Sequence, residues 1–401
     1  MKQDWPTKRL ADVCQILGGA TPSKKNSKFY GGDIPWATVG DMNVEVITTT
    51  EEYITKAAVA DCSTNVIPSG SIVMATRVGL GKVCVLGQDT AINQDLKGLT
   101  PKNNKELTTR WLYWWLKSMA SDIQKAGTGA TVQGVKMTFV QELKIPLPPL
   151  AEQKRIVALL DEAFAGIDEA KVNTEESLRD TKTLMESHLE AAFTERDRDW
   201  KDKTLSELCE RITKGSSPKW QGISYVKTPG VLFVTSENVG ENEILLDEPK
   251  YVEEKFNLKD KKSILKNGDV LTNIVGASIG RTAVFNRNDS ANINQAVCLL
   301  RCRPDSLNNH YLAYLLNSPV FKRLLHDNEI DTARANLSLS FFSRLSVPVP
   351  PLLKQNQVVS KIEAFRKQAE HLSKLSHQKL TALNNLKKSV LTQAFAGELT
   401  A

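Results

Sequence analysis

Apolar residues recur at three- and four-residue steps along two stretches of this chain. After Pro149 they are Ile156, Leu160, Ala163, Phe164, Ile167, Ala170, Leu178, Met185 and Leu189. After Pro351 they are Val358, Ile362, Phe365, Ala369, Leu372, Leu380, Leu383, Val390 and Ala394. That spacing lines one face of an α-helix. Each stretch exceeds forty residues without a proline, so each predicts a helix roughly 60 Å long at about 1.5 Å per residue. Elsewhere the pattern is shorter. Ser71–Ala75 and Asp269–Asn273 read as strands, followed by Gly-rich turns and further strands at Val83–Leu86 and Thr282–Phe285. Amphipathic helices are predicted at Leu107–Met119 and Leu307–Leu316. The rest is expected to be loop-rich.

These elements come in two sets. Ile145–Gln153 reads IPLPPLAEQ and Val347–Gln355 reads VPVPPLLKQ, with Pro146 and Pro348 202 positions apart. Leu189 and Leu391, and Ala192-Phe193 and Ala394-Phe395, keep that offset. The match begins at Trp5 against Trp200, aligning Leu10 with Leu205 and Cys14 with Cys209 at an offset of 195. It drifts through Gly70 and Gly268, Gly81-Lys82 and Gly280-Arg281, and Asn93-Gln94 and Asn294-Gln295. A slow drift means small loop insertions on one shared fold. Two copies of one unit mean two similar binding surfaces, for which a two-part target is the natural ligand.

A long helix with one apolar stripe needs an equally long partner to cover it. Charge supports pairing these two. Residues 151–199 carry −6 and residues 352–401 carry +5, while 1–150 carry +4 and 200–351 carry +3. Opposite charges flanking a seam favour the mixed pair. Since domain termini usually lie close together, the helices are expected to run antiparallel, with the two globular segments at opposite ends and related by an approximate twofold axis. The weakly basic globular segments suit a polyanion.

Other chemistry is thin. The 401 residues contain six Cys and no CxxC pair, so the thiols are expected to be reduced and buried. No apolar run is long enough to cross a bilayer and MKQDWPTKRL lacks a signal-peptide core, so the chain is expected in the cytoplasm with no membrane partner. Gly79-Leu80-Gly81-Lys82 is followed by Val83 and has Thr76 in place of the first glycine of a phosphate loop, so a tight turn is the better reading. Glu248-Pro249-Lys250 is a lone acidic-basic pair, and the five His show no metal-ligand spacing. No catalytic residue and no metal site is predicted.

The order of features resembles the DNA specificity subunit of type I restriction-modification systems over the full length. The carrying residues are IPLPPLAEQKRI at 145–156, the Gly-rich turns at Arg77–Lys82 and Gly276–Arg281, the two Asn-Gln pairs, and Gly127-Thr128. The second junction departs from the pattern, with Lys354 where Glu152 stands in the first. The resemblance implies an α+β chain of two similar mixed α/β target-recognition domains, at 1–149 and 198–351. They are separated by two long antiparallel helices, at 150–197 and 352–401, that form a coiled coil in a pseudo-twofold internal repeat. It implies that each recognition domain reads a short half-site of double-stranded DNA and that the helices fix the unread spacer. Two modification subunits would bind S-adenosylmethionine and methylate adenine. Two motor-nuclease subunits would join for cleavage with ATP and Mg. The chain itself would carry no cofactor. A protein-interaction scaffold built on the helical spacer, with no DNA ligand, is the alternative.

Sequence is read by side chains that reach base edges, while Lys and Arg on phosphates set position. Candidate contacts are therefore polar loop residues. In the first segment they are Ser23, Lys24, Lys25, Asn26, Lys28, Arg77, Thr128, Thr131 and Lys136. In the second they are Lys214, Ser216, Ser217, Lys219, Trp220, Asn273, Ser278, Arg334 and Asn336. Positions where the two copies agree are expected to hold the fold, and positions where they differ to specify bases. On that ground the paired Asn-Gln motifs are expected to be structural.

Overall fold

A computed structural model describes residues 5–129, 133–195, 199–227, 230–329 and 335–399. The chain divides into two compact units, residues 1–174 with 377–401, and residues 175–376. Each long helix contributes to both.

The first unit holds a five-stranded sheet ordered Cys14–Gly18, Leu96–Pro101, Ile72–Ala75, Val83–Leu86, Val46–Ile47. Its neighbours are antiparallel except the last pair. A second sheet is ordered Glu52–Ile54, Tyr30–Ala37, Thr90–Ile92, Val66–Ile67. The helix Thr109–Ser118 packs on the first sheet, burying Trp111, Leu112, Trp115 and Leu116, and starts where the Thr108 hydroxyl accepts from the Trp111 amide. Thr7–Arg9 pairs antiparallel with Lys144–Pro146, returning the chain to its starting point just before the double proline.

The second unit repeats this plan. Its larger sheet is ordered Cys209–Lys214, Val297–Cys302, Asp269–Asn273, Thr282–Phe285. Its smaller sheet is ordered Tyr225–Val226, Tyr251–Val252, Val231–Val234, Ala291–Ile293. Lys201–Thr204 pairs with Ser346–Val349, and the helix Asn309–Asn317 takes the place of Thr109–Ser118. The smaller sheets were not legible as strands because most of their strands are two to four residues long, too short to show a period. The predicted short strands and helices are all present, within a residue or two at their ends, whereas the long helices, expected over 150–197 and 352–401, start as expected but end earlier, at Thr194 and Phe395.

The long helices run Leu150–Thr194 and Leu352–Phe395. In the first unit Ile156, Val157 and Leu160 are buried in one core with Ala394, against which Val390, Leu391 and Phe395 also pack. Asp168 pairs there with Lys387, and Arg155 donates to the Leu399 carbonyl at 2.8 Å. In the second unit Leu189 and Phe193 share a core with Val358, Val359 and Ile362, and the His188 ring stacks on Phe365 at 4.4 Å. Ascending one helix means descending the other, so the pair is antiparallel. The opposite charges of the two helices meet in Asp168 and Lys387, while the core clusters that join the helices are apolar.

One aromatic group closes the foot of each unit. Trp111 lies 5.8 Å from Trp5 and 4.7 Å from Phe395. In the second unit Tyr311 lies 6.5 Å from Trp200 and 5.4 Å from Phe193. The matching residues come from the same places in the repeat. No helix among the described residues is long and apolar enough to cross a membrane.

Candidate nucleic-acid interface

The double-proline motif ends in a glutamine that is fully buried in both units. Gln153 accepts from the Thr108 amide at 3.0 Å and donates to the carbonyls of Glu106 (2.7 Å) and Pro148 (3.0 Å). Gln355 accepts from the Asn308 amide at 2.8 Å and donates to Ser306 (3.0 Å) and Pro350 (2.9 Å). A side-chain amide thus caps the short helix and clamps it to the start of the long one. The prolines supply carbonyls without competing N–H groups. The sequence offered the clue, since the glutamine appears in both copies, but not its partners. At the position where the copies differ, Glu152 accepts from Arg155 at 2.8 Å within the first turn.

The Gly-rich turns are structural in both units. Gly81 has φ +86 and Gly280 φ +85, in the left-handed region that disfavours side chains. A Cβ on Gly81 would meet the Ala120 carbonyl at 3.0 Å. Each turn is closed by matching bonds. The Ala75 amide donates to Lys82 (3.0 Å), and that of Asn273 to Arg281 (2.9 Å). The asparagines of the Asn-Gln pairs behave alike. Asn93 Oδ1 accepts from the Asp95 amide at 3.1 Å and Asn294 Oδ1 from the Ala296 amide at 3.0 Å, each closing its own turn.

Around this frame the first unit gathers three of its predicted loops. The Thr76 amide reaches the Asp95 carbonyl (2.8 Å), and the Val135 amide reaches Thr76 (2.8 Å). Thr128 and Gly134 exchange backbone bonds at 3.0 and 2.9 Å. Arg77, Thr128 and Lys136 are therefore exposed on adjoining segments. Arg77 lies 3.4 Å from Asp95, a partner that sequence reasoning missed. The Ser23–Lys28 loop joins through Thr21, which donates to the Gln94 side chain. Ser23, Lys24, Lys25 and Lys28 are exposed there, while Asn26 caps a short turn by accepting from the Lys28 amide at 3.2 Å. Lys97, beneath the same turn, donates to the Gln94 and Leu96 carbonyls at 3.0 Å each, and burial lowers its affinity for the proton.

In the second unit the backbone bonds recur and the side chains change. The Ile274 amide reaches Ala296 (2.9 Å), and the Leu337 amide reaches Ile274 (2.9 Å). Val275 thus stands where Arg77 stands in the first unit, and Asn336 where Gly134 does. Asn273 is fully buried, its amide donating to Ser236 (2.9 Å), Val239 (3.4 Å) and Ser278 Oγ (3.2 Å). It ties loops together and presents nothing at the surface. Ser278 is half-buried as one of those acceptors, and Asn336 bridges to Val275. Ser216 donates to Asp260 at 2.5 Å, Ser217 and Lys214 are half-buried, and Lys219 and Trp220 are exposed. Thr131 and Arg334 lie outside the described residues. Among the described residues no group of three or more His, Cys, Asp or Glu is placed to hold a metal ion.

Comparison with known proteins places this frame. A family model described as the type I restriction modification DNA specificity domain matches residues 2–178 and 197–382. The EcoBI specificity subunit of Escherichia coli is 27% identical over 321 residues, 73% of this chain and just under two thirds (66%) of that subunit. The MjaIX specificity subunit of Methanocaldococcus jannaschii is 24% identical over 386 residues, covering 87% and 84%. Among solved structures, a chain from a study of assembly and conformational transition of the type I R-M system superposes with a TM-score of 0.78, at 22% identity and 98% coverage of both chains. The HsdS subunit from Thermoanaerobacter tengcongensis superposes with a TM-score of 0.66, at 22% identity and 98% and 97% coverage. Two copies of the specificity domain account for most of the sequence, and the chain belongs to the type I restriction-modification DNA specificity family.

Proposed function

We propose that this chain reads a bipartite double-stranded DNA target and performs no chemistry of its own. Each recognition domain (residues 1–149 and 198–351) contacts one half-site, and the length of the spacer helices (150–197 and 352–401) sets the unread interval. Two modification subunits, carrying S-adenosylmethionine, methylate adenine where the chain directs them. Two motor-nuclease subunits, with ATP and Mg, cleave.

The observation that supports this reading is a contrast between frame and loops. The backbone bonds that close the Gly-rich turn and join it to the Asn turn and to the segment after residue 134 have counterparts in the second unit: Ala75 to Lys82, Thr76 to Asp95 and Val135 to Thr76 match Asn273 to Arg281, Ile274 to Ala296 and Leu337 to Ile274. The exposed side chains on those segments do not. A protein selected only to hold partners alike at two places has no need for that divergence. A protein that reads two different half-sites requires it.

Single-molecule sequencing of methylated adenines in cells with and without the gene tests the proposal. It predicts a two-part motif that disappears on deletion. Removing about one heptad from both long helices is expected to shorten the spacer and leave the half-sites unchanged. Unaltered methylation in the deletion strain contradicts the proposal and favours the scaffold reading. Altered half-sites in the heptad variant contradict the division of labour.

A further inference from the structure

Trp220 is 87% exposed, the most exposed of the large apolar side chains described. It makes no hydrogen bond or ring contact with any described residue, yet the turn that carries it is tightly held. Lys219–Gln221 is a single helical turn closed by Gly222 in the left-handed region, with the Gln221 amide donating to Pro218 at 2.9 Å. The Gln221 side chain donates to Ser216, which donates to the buried Asp260. Lys259 donates to the Gln221 carbonyl at 2.7 Å. Gly215 lies so close to Ile293 that a Cβ there would overlap its carbonyl, and its amide donates to Asn294 at 3.2 Å. Ile223, just after the turn, is buried beside Phe233 and Phe256.

Fixing a bare indole in water on a rigid turn gains nothing for folding. Single apolar side chains are common on protein surfaces; Trp220 stands apart in being a whole indole presented on a turn held by the Gln221–Ser216–Asp260 bonds and set among lysines. The charges beside it indicate the partner. Lys214 and Lys219 flank the Ser216–Pro218 stretch, Lys259 holds the turn, and Lys261 and Lys262 follow Asp260. The nearby Glu253 is occupied by Lys255 at 2.9 Å and by the Ser224 amide at 3.2 Å. The first unit has Lys24 and Lys25 on the matching loop and no exposed aromatic there.

Building on the DNA-reading proposal, we infer that Trp220 is the apolar anchor of the second unit's half-site, with its indole packed on a base or wedged at a base step while the surrounding lysines hold phosphates. The contact is uncharged, so it adds affinity without releasing counterions. It is confined to one half of the target.

The test uses the full chain co-purified with its modification subunits, and a duplex carrying the target mapped for the wild type. Trp220→Ala is expected to weaken binding by about 10- to 100-fold, with the slope of affinity against salt unchanged. Trp220→Phe is expected to recover most of the loss. Lys219→Gln is expected to make the salt slope shallower. Adding duplex is expected to shift or quench the indole emission that distinguishes the wild type from Trp220→Phe. Binding by Trp220→Ala within twofold of wild type, with no emission change, overturns the inference while leaving the DNA-reading proposal intact. A wild-type complex that fails to prefer its own mapped duplex overturns both.

Discussion

At one matched position in the larger sheet, the two units solve the same packing problem with different chemistry. The first sets Ser71 against Thr100, hydroxyl to hydroxyl at 2.8 Å. The second sets Asp269 against Arg301 in a two-bond pair, each at 2.7 Å, and Arg301 also donates to the Ile264 carbonyl at 3.1 Å. Both pairs sit beside equivalent strand registers, Ile72 with Leu99 and Val270 with Leu300. The carboxylate is 2% exposed and the guanidinium 12%, and the Asp269 hydrogen bond holds the Arg301 proton more tightly than usual. The backbone frame is therefore the retained part, and side chains can be replaced even inside it if each buried polar group keeps a partner. The loops take the same freedom further at exposed positions such as Lys24, Lys25 and Trp220, while Asn273 and Ser216 are held by internal hydrogen bonds.

The comparison can be broken by mutation. The largest effect is expected from Asp269→Ala, which strands a buried guanidinium and should cost about 3–5 kcal/mol. Urea unfolding should show the loss in a transition assigned to the second unit. Gln153→Ala and Gln355→Ala should each cost about 2–3 kcal/mol, since each removes the side-chain partner of one buried and two partly buried backbone groups. Similar losses in the two variants would support a shared clamp, and a loss in only one would contradict it. Ser71→Ala should cost only about 1 kcal/mol, the net worth of one neutral hydrogen bond.

The thiols sharpen the comparison with a smaller signal. Burial pushes Cys84 in the first unit up to about 11, and Cys14 to about 12, and raises the fully buried Cys298 of the second unit as well. These groups should resist alkylation at neutral pH until their own unit opens, so Cys84 and Cys298 serve as separate reporters. In Asp269→Ala, Cys298 labelling should accelerate before that of Cys84. A raised thiol pKa means the folded state keeps its proton longer than the unfolded state. The associated stability is complete below the ordinary thiol value of 9.0 and is lost as pH rises towards 11 and 12.

Much of this architecture was legible because it rests on periodic or repeated signals. The long helices declare themselves through uninterrupted apolar steps, and the repeat through the prolines and the Asn-Gln pairs. The small sheets and the Gln153 clamp were hidden for opposite reasons. Strands such as Val66–Ile67 are too short for alternation to register. A single glutamine gives no hint of its partners, which lie at Glu106 and Thr108 as well as nearby at Pro148. Among the candidate DNA contacts, exposure separated residues that composition could not. Asn273 looked like a base reader and proves to be an internal tie. Lys24 and Trp220 stand in the open, with nothing internal to explain them.

The central claim is that two copies of one frame read separate half-sites through loops that differ. Its most direct test replaces Ser23, Lys24, Lys25 and Lys28 together with alanine and maps methylated adenines across the genome. The account predicts that one half of the motif relaxes or changes, while the other half and the interval between them persist. A motif that changes in both halves, or a single contiguous site in the wild type, would contradict it.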